Sequence, residues 1–281
     1  LVIIPKSFAS LRRIEEILQA EIEIEEETIK TVAEPTFDQT NAAAFEHVTF
    51  KYTEISDPVL EDIDFTIPKG KTTAIVGGTG SGKSSLAKLL LRLSDPTIGK
   101  VTLGGIPLTQ MTQEQIRSHI SYVPQKAFLF SGTILSNLQM GNEYASTEEL
   151  SKAIKIAQLE ELVDTLPDGL DSFVAQGGSN YSGGQKQRIC IARALIKPAE
   201  IYVFDDSFSA LDYKTDAALR AALHKHMSEK TLVIVAQRLS TIQQADNIIV
   251  LDEGKIVGQG THEELLSNCQ TYQEFAKSQG I

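Results

Sequence analysis

Apolar and polar positions follow two rhythms along this chain, and the switches between them predict its elements. Residues 6–19, KSFASLRRIEEILQ, set Phe8, Leu11 and Ile14 (with Ile17 or Leu18) at helical spacing, which predicts an amphipathic helix with a charged back. Residues 20–40 turn acidic, with AEIEIEEETIK running on towards Pro35, and read as a solvated linker. A globular region begins near Asn41. There AAFEHVTFKY alternates with period two and predicts a strand, and residues 58–67 offer another. KTTAIVG, residues 71–77, predicts a short buried strand, followed by a Gly-rich turn and the helix SSLAKLLLRL. Residues 100–125 read as more strand and turn, ending in SYVPQ. From about 126 to 197 the pattern is helical, as in STEELSKAIKIAQLEELVDTL. Strands return at IYVFD and TLVIVA, with the helix KTDAALRAALHKHM between them. IIVLDEGKIVGQG predicts a hairpin turning at Glu253 and Gly254, and THEELLSNCQTYQEFAKSQ a helix capped by Thr261. Strands alternating with helices around an all-helical insert predict an α/β fold with a helical subdomain. There is no internal repeat.

Composition narrows the function. The 281 residues suffice for a sizeable core, and 42% apolar content is ordinary for a globular protein. A net charge of −11 repels a polyanion, so nucleic acid is not expected as a partner. Cys190 and Cys269 lie far apart and match neither a disulfide framework nor a metal spacing, which suggests free thiols in a reducing compartment. No stretch approaches the ~20 apolar residues of a membrane span. The opening LVIIP is too short, and lacks the charged start, for a signal peptide. The chain does not begin with Met, so residue 1 is expected to be a boundary inside a longer protein.

One motif carries explicit chemistry. Residues 77–84 read G-x-x-x-x-G-K-S after a strand and before a helix, the context that gives a phosphate-binding loop its force. Gly77, Gly78, Gly80 and Gly82 let the backbone wrap around phosphate oxygens, with Thr79, Ser81 and Ser85 completing the loop. Lys83 is expected to reach the β- and γ-phosphates of ATP, and the Ser84 hydroxyl to ligate Mg²⁺. A metal partner is expected at the end of a core strand, and Asp205 closes the apolar run IYVFD. A second acid, Asp206, follows at once.

With the phosphate loop and IYVFD, the segments YSGGQKQR (181–188) and SALD (209–212) make the chain resemble the ATP-binding cassette (ABC) ATPases over residues ~41–281. The resemblance implies a P-loop (RecA-like) core, an antiparallel β subdomain and an inserted α-helical subdomain at about 126–197. It implies further roles. Tyr52 would stack on adenine, the alternative being a strand aromatic in the core. Gln125 of YVPQ would contact Mg²⁺ with Ser84 and Asp205. Ser182, Gly183, Gly184 and Gln185 would close on the γ-phosphate held by a second nucleotide-binding domain. Asp212 would reach across that dimer or cap the following helix, or both. IPKSFASLRRIEEIL resembles the segment joining the last membrane helix of an exporter to its ATPase domain. The expected partners are therefore transmembrane domains, and the expected location is the cytoplasmic side of a cell membrane.

Two positions depart from the family pattern. Asp206 stands where glutamate usually polarises the attacking water, and Gln237, in VIVAQRLST, stands where histidine is usual. Aspartate stops short by about one C–C bond, ~1.5 Å, and a ~1 Å misplacement can cost ~100-fold in rate. Glutamine can hydrogen-bond a phosphate but cannot carry charge or shuttle a proton. The signature keeps its Ser-Gly-Gly-Gln. This split resembles the slow-site half of a heterodimeric, multidrug-type ABC exporter. A homodimer with two slow sites, or a soluble ABC ATPase, are the alternatives.

Overall fold

Every strand read from an apolar run is present, and two of the gaps between them hold elements of another kind. The structure is a computed structural model that describes residues 3–19, 24, 34–37 and 40–281. The elements run α1 (Ile3–Leu18), β1 (Asn41–Phe50), β2 (Leu60–Pro68), β3 (Thr72–Gly77), α2 (Lys83–Leu90), β4 (Ile98–Leu103), β5 (Ile106–Pro107), α3 (Gln113–His119) and β6 (Ile120–Val123). The insert holds β7 (Gly132–Thr133), α4 (Ile134–Gln139), α5 (Thr147–Ile156), α6 (Glu160–Thr165), β8 (Phe173–Val174) and α7 (Gly183–Ile196). The chain closes with β9 (Ile201–Asp205), α8 (Tyr213–His226), β10 (Thr231–Ala236), α9 (Leu239–Ile242), β11 (Asn247–Asp252), β12 (Lys255–Gly260), α10 (His262–Asn268) and α11 (Gln270–Ser278).

The main sheet has the order β12-β11-β3-β10-β9-β6. All its pairings are parallel except β11 with β12, the hairpin turning at Glu253 and Gly254 as the sequence predicts. Its inner strands read as unbroken apolar runs because both faces are covered. In β10, Leu232, Ile234 and Ala236 join one core cluster, with Tyr202 and Phe204 and the insert. Val233 and Val235 join the other, with α2 and a four-stranded antiparallel sheet of order β2-β1-β4-β5. The expected α/β core, antiparallel β subdomain and helical insert are thus all observed.

Three expectations need correction. Residues 113–119 are a helix, not strand and turn. Thr112 accepts from Gln115 N and the Gln115 side chain reaches back to Thr112 N, a capping box that lets seven residues stand as a helix. Residues 132–133 and 173–174 pair as a short ribbon inside the otherwise helical insert. The C-terminal helix is two helices, α10 and α11, because Cys269 takes an extended conformation between them. The predicted first helix is present as α1, with Phe8, Leu11, Ile14, Ile17 and Leu18 exposed. Most of the predicted acidic linker lies outside the described residues.

Helix ends in this fold lean on carboxylates. Glu149 accepts from Ser146 N at 2.7 Å and Glu264 from Thr261 N at 2.8 Å, each closing a capping box. These backbone N–H bonds, then the Ser and Thr hydroxyls, hold both carboxyls below the usual glutamate range. Depressed folded values mean that the stabilisation is full above about pH 4.3, the ordinary value, and is lost as pH falls through the lower folded values. The double variant Glu149→Gln, Glu264→Gln keeps the box but not the charge. Its melting temperature is expected to fall less steeply than the parent's between about pH 5 and pH 3, as followed by circular dichroism.

Candidate functional site

Four neighbouring parallel strands end at the same edge of the main sheet, and each delivers one part of a cleft there. β3 runs into residues 77–85, β6 into Gln125, β9 into Asp205 and Asp206, and β10 into Gln237. Register aligns these ends: Ala236 pairs with Val76, Val235 with Asp205, and Val123 with Phe204. Asp206 N then donates to Val235 O at 2.9 Å, carrying the ladder one residue past the strand. The cleft, about 310 Å³, is lined by Val59, Thr79, Gly80, Gly82, Lys83, Ser84, Ser85, Gln125, Asp205, Asp206, Val235 and Gln237. Edges of this kind, outside the carboxyl ends of parallel strands, are where open α/β sheets bind ligands.

The loop's conformation follows from its glycines. Gly82 sits at φ 99° where α2 begins, and a Cβ there would lie 2.6 Å from Leu60 Cδ2. Gly80, at φ 83°, has open space where a Cβ would stand, as does Gly78. No side chain caps α2, and Ser85 N donates to Gly82 O at 2.9 Å. Lys83 is buried, and its Nζ donates to Gly77 O at 2.8 Å, Gly78 O at 2.6 Å and Ser81 Oγ at 3.4 Å. Burial lowers its pKa, opposed by the charges of Asp206 and Asp205.

Opposite the loop stands a compact polar cluster. Ser84 Oγ donates to Asp205 Oδ1 at 3.2 Å, and Tyr122 OH donates to Asp205 Oδ2 at 3.1 Å. Burial, then the Asp205 charge and hydrogen bond, push the Tyr122 hydroxyl up, so it remains a donor. One oxygen of Asp206, Oδ2, accepts from both Gln125 Nε2 at 3.0 Å and Gln237 Nε2 at 3.1 Å. Burial raises the Asp206 pKa, with the Gln125 bond working against it. Asp206 also takes φ 46°, a left-handed backbone that costs a non-glycine residue about 1–2 kcal/mol.

Two carboxylates against one ammonium leave the inner wall negative, which would repel a bare polyphosphate. A divalent cation arriving with the phosphates removes that repulsion. The available donors, a hydroxyl, carboxylates and an amide oxygen, are the hard oxygens that Mg²⁺ favours. These residues therefore fit a Mg–nucleotide.

The remaining predicted residues lie elsewhere. Tyr52 is half exposed just beyond β1, its OH 3.0 Å from Ser85 Oγ and its ring edge-on to Phe50, so it is not a core aromatic. Ser182 caps α7: its Oγ accepts from Gln185 N at 3.3 Å, and Gln185 Oε1 accepts from Ser182 N at 2.8 Å. Gly183 faces open space, whereas a Cβ on Gly184 would meet Ala210 O at 3.3 Å. Asp212 caps α8, accepting from Thr215 N at 3.0 Å and Thr215 Oγ1 at 2.7 Å. The helix-cap alternative for Asp212 is thus observed. None of 182–185, nor Asp212, is among the described residues lining the cleft. Nothing local in SYVPQ marks Tyr122 as a site residue, because its partner Asp205 lies far along the chain. The alternation of Tyr122 with Val123 on a predicted strand was the only signal that it points away from that residue.

A family model described as ABC transporter matches residues 60–209. An uncharacterized ABC transporter ATP-binding protein of Mycobacterium tuberculosis is 48% identical over 250 residues, 88% of this chain and 43% of that protein. The probable multidrug resistance ABC transporter ATP-binding/permease protein YheI of Bacillus subtilis is 41% identical over 97% of this chain and 46% of its own. Among solved structures, a bacterial Atm1-family ABC exporter with ATP bound superposes with a TM-score of 0.88 at 33% identity, over 99% of this chain and 48% of that one. The chain spans about half the length of the curated relatives it matches.

Two adjacent glycines at the start of the loop are expected to respond differently to a methyl group. A Cβ on Gly77 would stand 2.2 Å from Leu251 O and 2.6 Å from Ser81 Oγ, and the carbonyl belongs to a buried strand that cannot yield. Gly77→Ala is therefore expected to cost about 1–3 kcal/mol and to lower the melting temperature. Gly78→Ala, whose Cβ meets nothing within 4 Å, is expected to melt like the parent. Equal melting of the two variants would contradict this placement of the loop.

Proposed function

The chain belongs to the ABC transporter family, and on that premise we propose that it is the ATP-binding domain of an exporter half that pairs with a non-identical partner. In that pair it contributes an intact signature to the fast ATP site and its own phosphate loop to a slow one. The observation that carries the reading is the convergence of Lys83, Ser84, Gln125, Asp205, Asp206 and Gln237 on one cleft. The similarity to an exporter with ATP bound, over almost the whole chain, supports export as the work being powered. The multidrug name of a relative supports the multidrug type.

The roles are those the family resemblance implies, and the geometry is compatible with them. Gly78 and Gly80 leave room for phosphate oxygens over the loop, and the α2 N-terminus supplies N–H donors. Lys83 turns from the carbonyls it now contacts to the β- and γ-phosphates. Ser84, Asp205 and Gln125 would hold Mg²⁺, which would supply positive charge against the phosphates. Tyr52 stacks on adenine, beside Ser85. Ser182 and its glycines present the α7 N-terminus to nucleotide held by the partner domain, and Asp212 stands next to that contact. Both the ATP and the partner meet this chain on the cytoplasmic side of the membrane. Among the described residues no helix is long and apolar enough to cross one; the transmembrane domains enter this reading as partners, supported by the likeness to an exporter.

Slowness is assigned to Asp206 and Gln237. A general base contributes roughly 10²–10⁴-fold and must reach its water. The Asp206 carboxylate is a methylene short of the usual glutamate, and one of its oxygens already accepts two amide hydrogen bonds. Gln237 can accept from water or donate to the γ-phosphate but cannot take up a proton.

Alone, the purified chain is expected to bind Mg-ATP and to turn it over very slowly. Robust multiple turnover that disappears in Asp206→Asn would contradict the slow-site assignment. In the reconstituted pair, two substitutions in this chain are expected to act unequally. Ser182→Arg brings bulk and charge to the helix end that approaches the partner's nucleotide, and is expected to abolish most steady-state ATPase activity. Asp206→Asn is expected to leave most of it. Equal losses, or a larger loss with Asp206→Asn, would favour two equivalent sites.

A further inference from the structure

The turn that carries Gln237 is gripped by a side chain from the far end of the chain. Gln279 Oε1 accepts from Leu239 N at 2.8 Å, and Gln279 Nε2 donates to Gln237 O at 2.9 Å. Its amide thus bridges the main chain on both sides of Arg238. The orientation is fixed by chemistry: a flipped amide would set N–H against N–H and oxygen against oxygen. The turn needs such a partner. Arg238, the N-cap residue of α9, makes no side-chain cap, so the first N–H of that helix, Leu239 N, would otherwise lack an acceptor.

Gln279 follows directly on a helix packed against the core. α11 is anchored by Tyr272, fully buried and bonded through its OH to His262 Nδ1 at 2.7 Å, and by buried Ala276. Gln279 N bonds back to Phe275 O and Ala276 O, and Ile281 N to Ala276 O, which closes the helix end. On the other side of the turn, Gln237 Nε2 reaches Asp206 Oδ2 at 3.1 Å. A continuous hydrogen-bonded path therefore runs from the core under α11, through Gln279, to a side chain in the cleft. Arg220, whose NH1 donates to Ser240 O at 2.6 Å, steadies α9 further along but does not touch residue 237.

We propose that Gln279 is a positioning residue of the nucleotide site: by bridging Gln237 O and Leu239 N it holds the turn so that the Gln237 side chain meets the γ-phosphate. This rests on the reading of Gln237 as the γ-phosphate contact. Removing the bridge leaves Gln237 in place but lets its turn move. The loss then falls on ATP, which has a γ-phosphate, and spares ADP, which does not.

The test measures ATP and ADP affinity, with Mg²⁺, by calorimetry on the full 281-residue chain, with thermal melting alongside. Gln279→Ala is expected to weaken ATP binding about threefold to tenfold, the range of one net hydrogen bond, with ADP affinity unchanged. Gln279→Glu keeps the acceptor for Leu239 N but turns an oxygen towards Gln237 O, and is expected to weaken ATP binding at least as much. Gln237→Ala is expected to show the same ATP-selective loss, and the double variant Gln237→Ala, Gln279→Ala to add little to either single one. A purely structural role would lower the melting temperature and weaken both nucleotides alike, which overturns the proposal. An ATP-selective loss in Gln237→Ala with none in the Gln279 variants overturns the bridge and leaves the γ-phosphate reading standing. No ATP-selective loss in Gln237→Ala overturns both.

Discussion

The register of four parallel strands holds everything else in place. β10 is bonded on one side to β3 and on the other to β9, and β9 in turn to β6. Side chains of these strands alternate between two separate cores, so a one-residue slip of any strand would send its large apolar residues to the wrong side. Burial on both faces therefore fixes the register, and the register fixes where each strand ends. Because Val235 pairs with Asp205 and Ala236 with Val76, the loop after β3, the acids after β9 and Gln237 after β10 emerge side by side. The chemistry of the cleft is a consequence of core packing several residues away.

Legibility in the sequence followed how local each signal was. The phosphate loop could be read because its glycines, lysine and serine are contiguous, and the strand and helix around it are nearest neighbours. The unbroken apolar runs of β9 and β10 gave away buried parallel strands for the same reason. The capping box at Thr112 and Gln115 was equally local, yet α3 went unread because only Ile116 in that helix is buried, which leaves no apolar stripe. Tyr122 and Gln279 were out of reach for a different reason. Each acts on a residue far along the chain, Asp205 and the Gln237 turn, and nothing in the flanking residues encodes the partner. Asp212 shows the remaining case, one side chain with two compatible roles. The cap on α8 is visible within the chain, while a reach across a dimer needs a second chain.

The cleft is also where the fold spends stability. Lys83 is buried against carbonyls, Asp205 and Asp206 are buried side by side, and Asp206 sits in a left-handed conformation. Buried like charges and backbone strain each oppose folding, and they persist only where surrounding structure over-determines them. Here that structure is the two cores on either face of the sheet, together with hydrogen bonds from Tyr122, Ser84, Gln125 and Gln237 to the two acids. On the proposed reading, a cation and a phosphate chain bring charges that this wall is built to meet.

The two departures from the family pattern, Asp206 and Gln237, are chemically matched to each other. An amide Nε2 is a donor at every pH, whereas an imidazole nitrogen is a donor in one protonation state and an acceptor in another. Gln237 can therefore hold a hydrogen bond to the Asp206 carboxylate without regard to protons, and Gln125 does the same at the same oxygen. With both donors on Oδ2, the oxygen left to take a proton from water is Oδ1. The same two amides remain free, through their oxygens, to meet a metal or a water. In the proposed slow site, then, proton removal is weakened by reach, while Lys83, Ser84 and Asp205 are the residues usual in the family. On the proposed reading, such a site keeps ATP bound while the partner's site turns over.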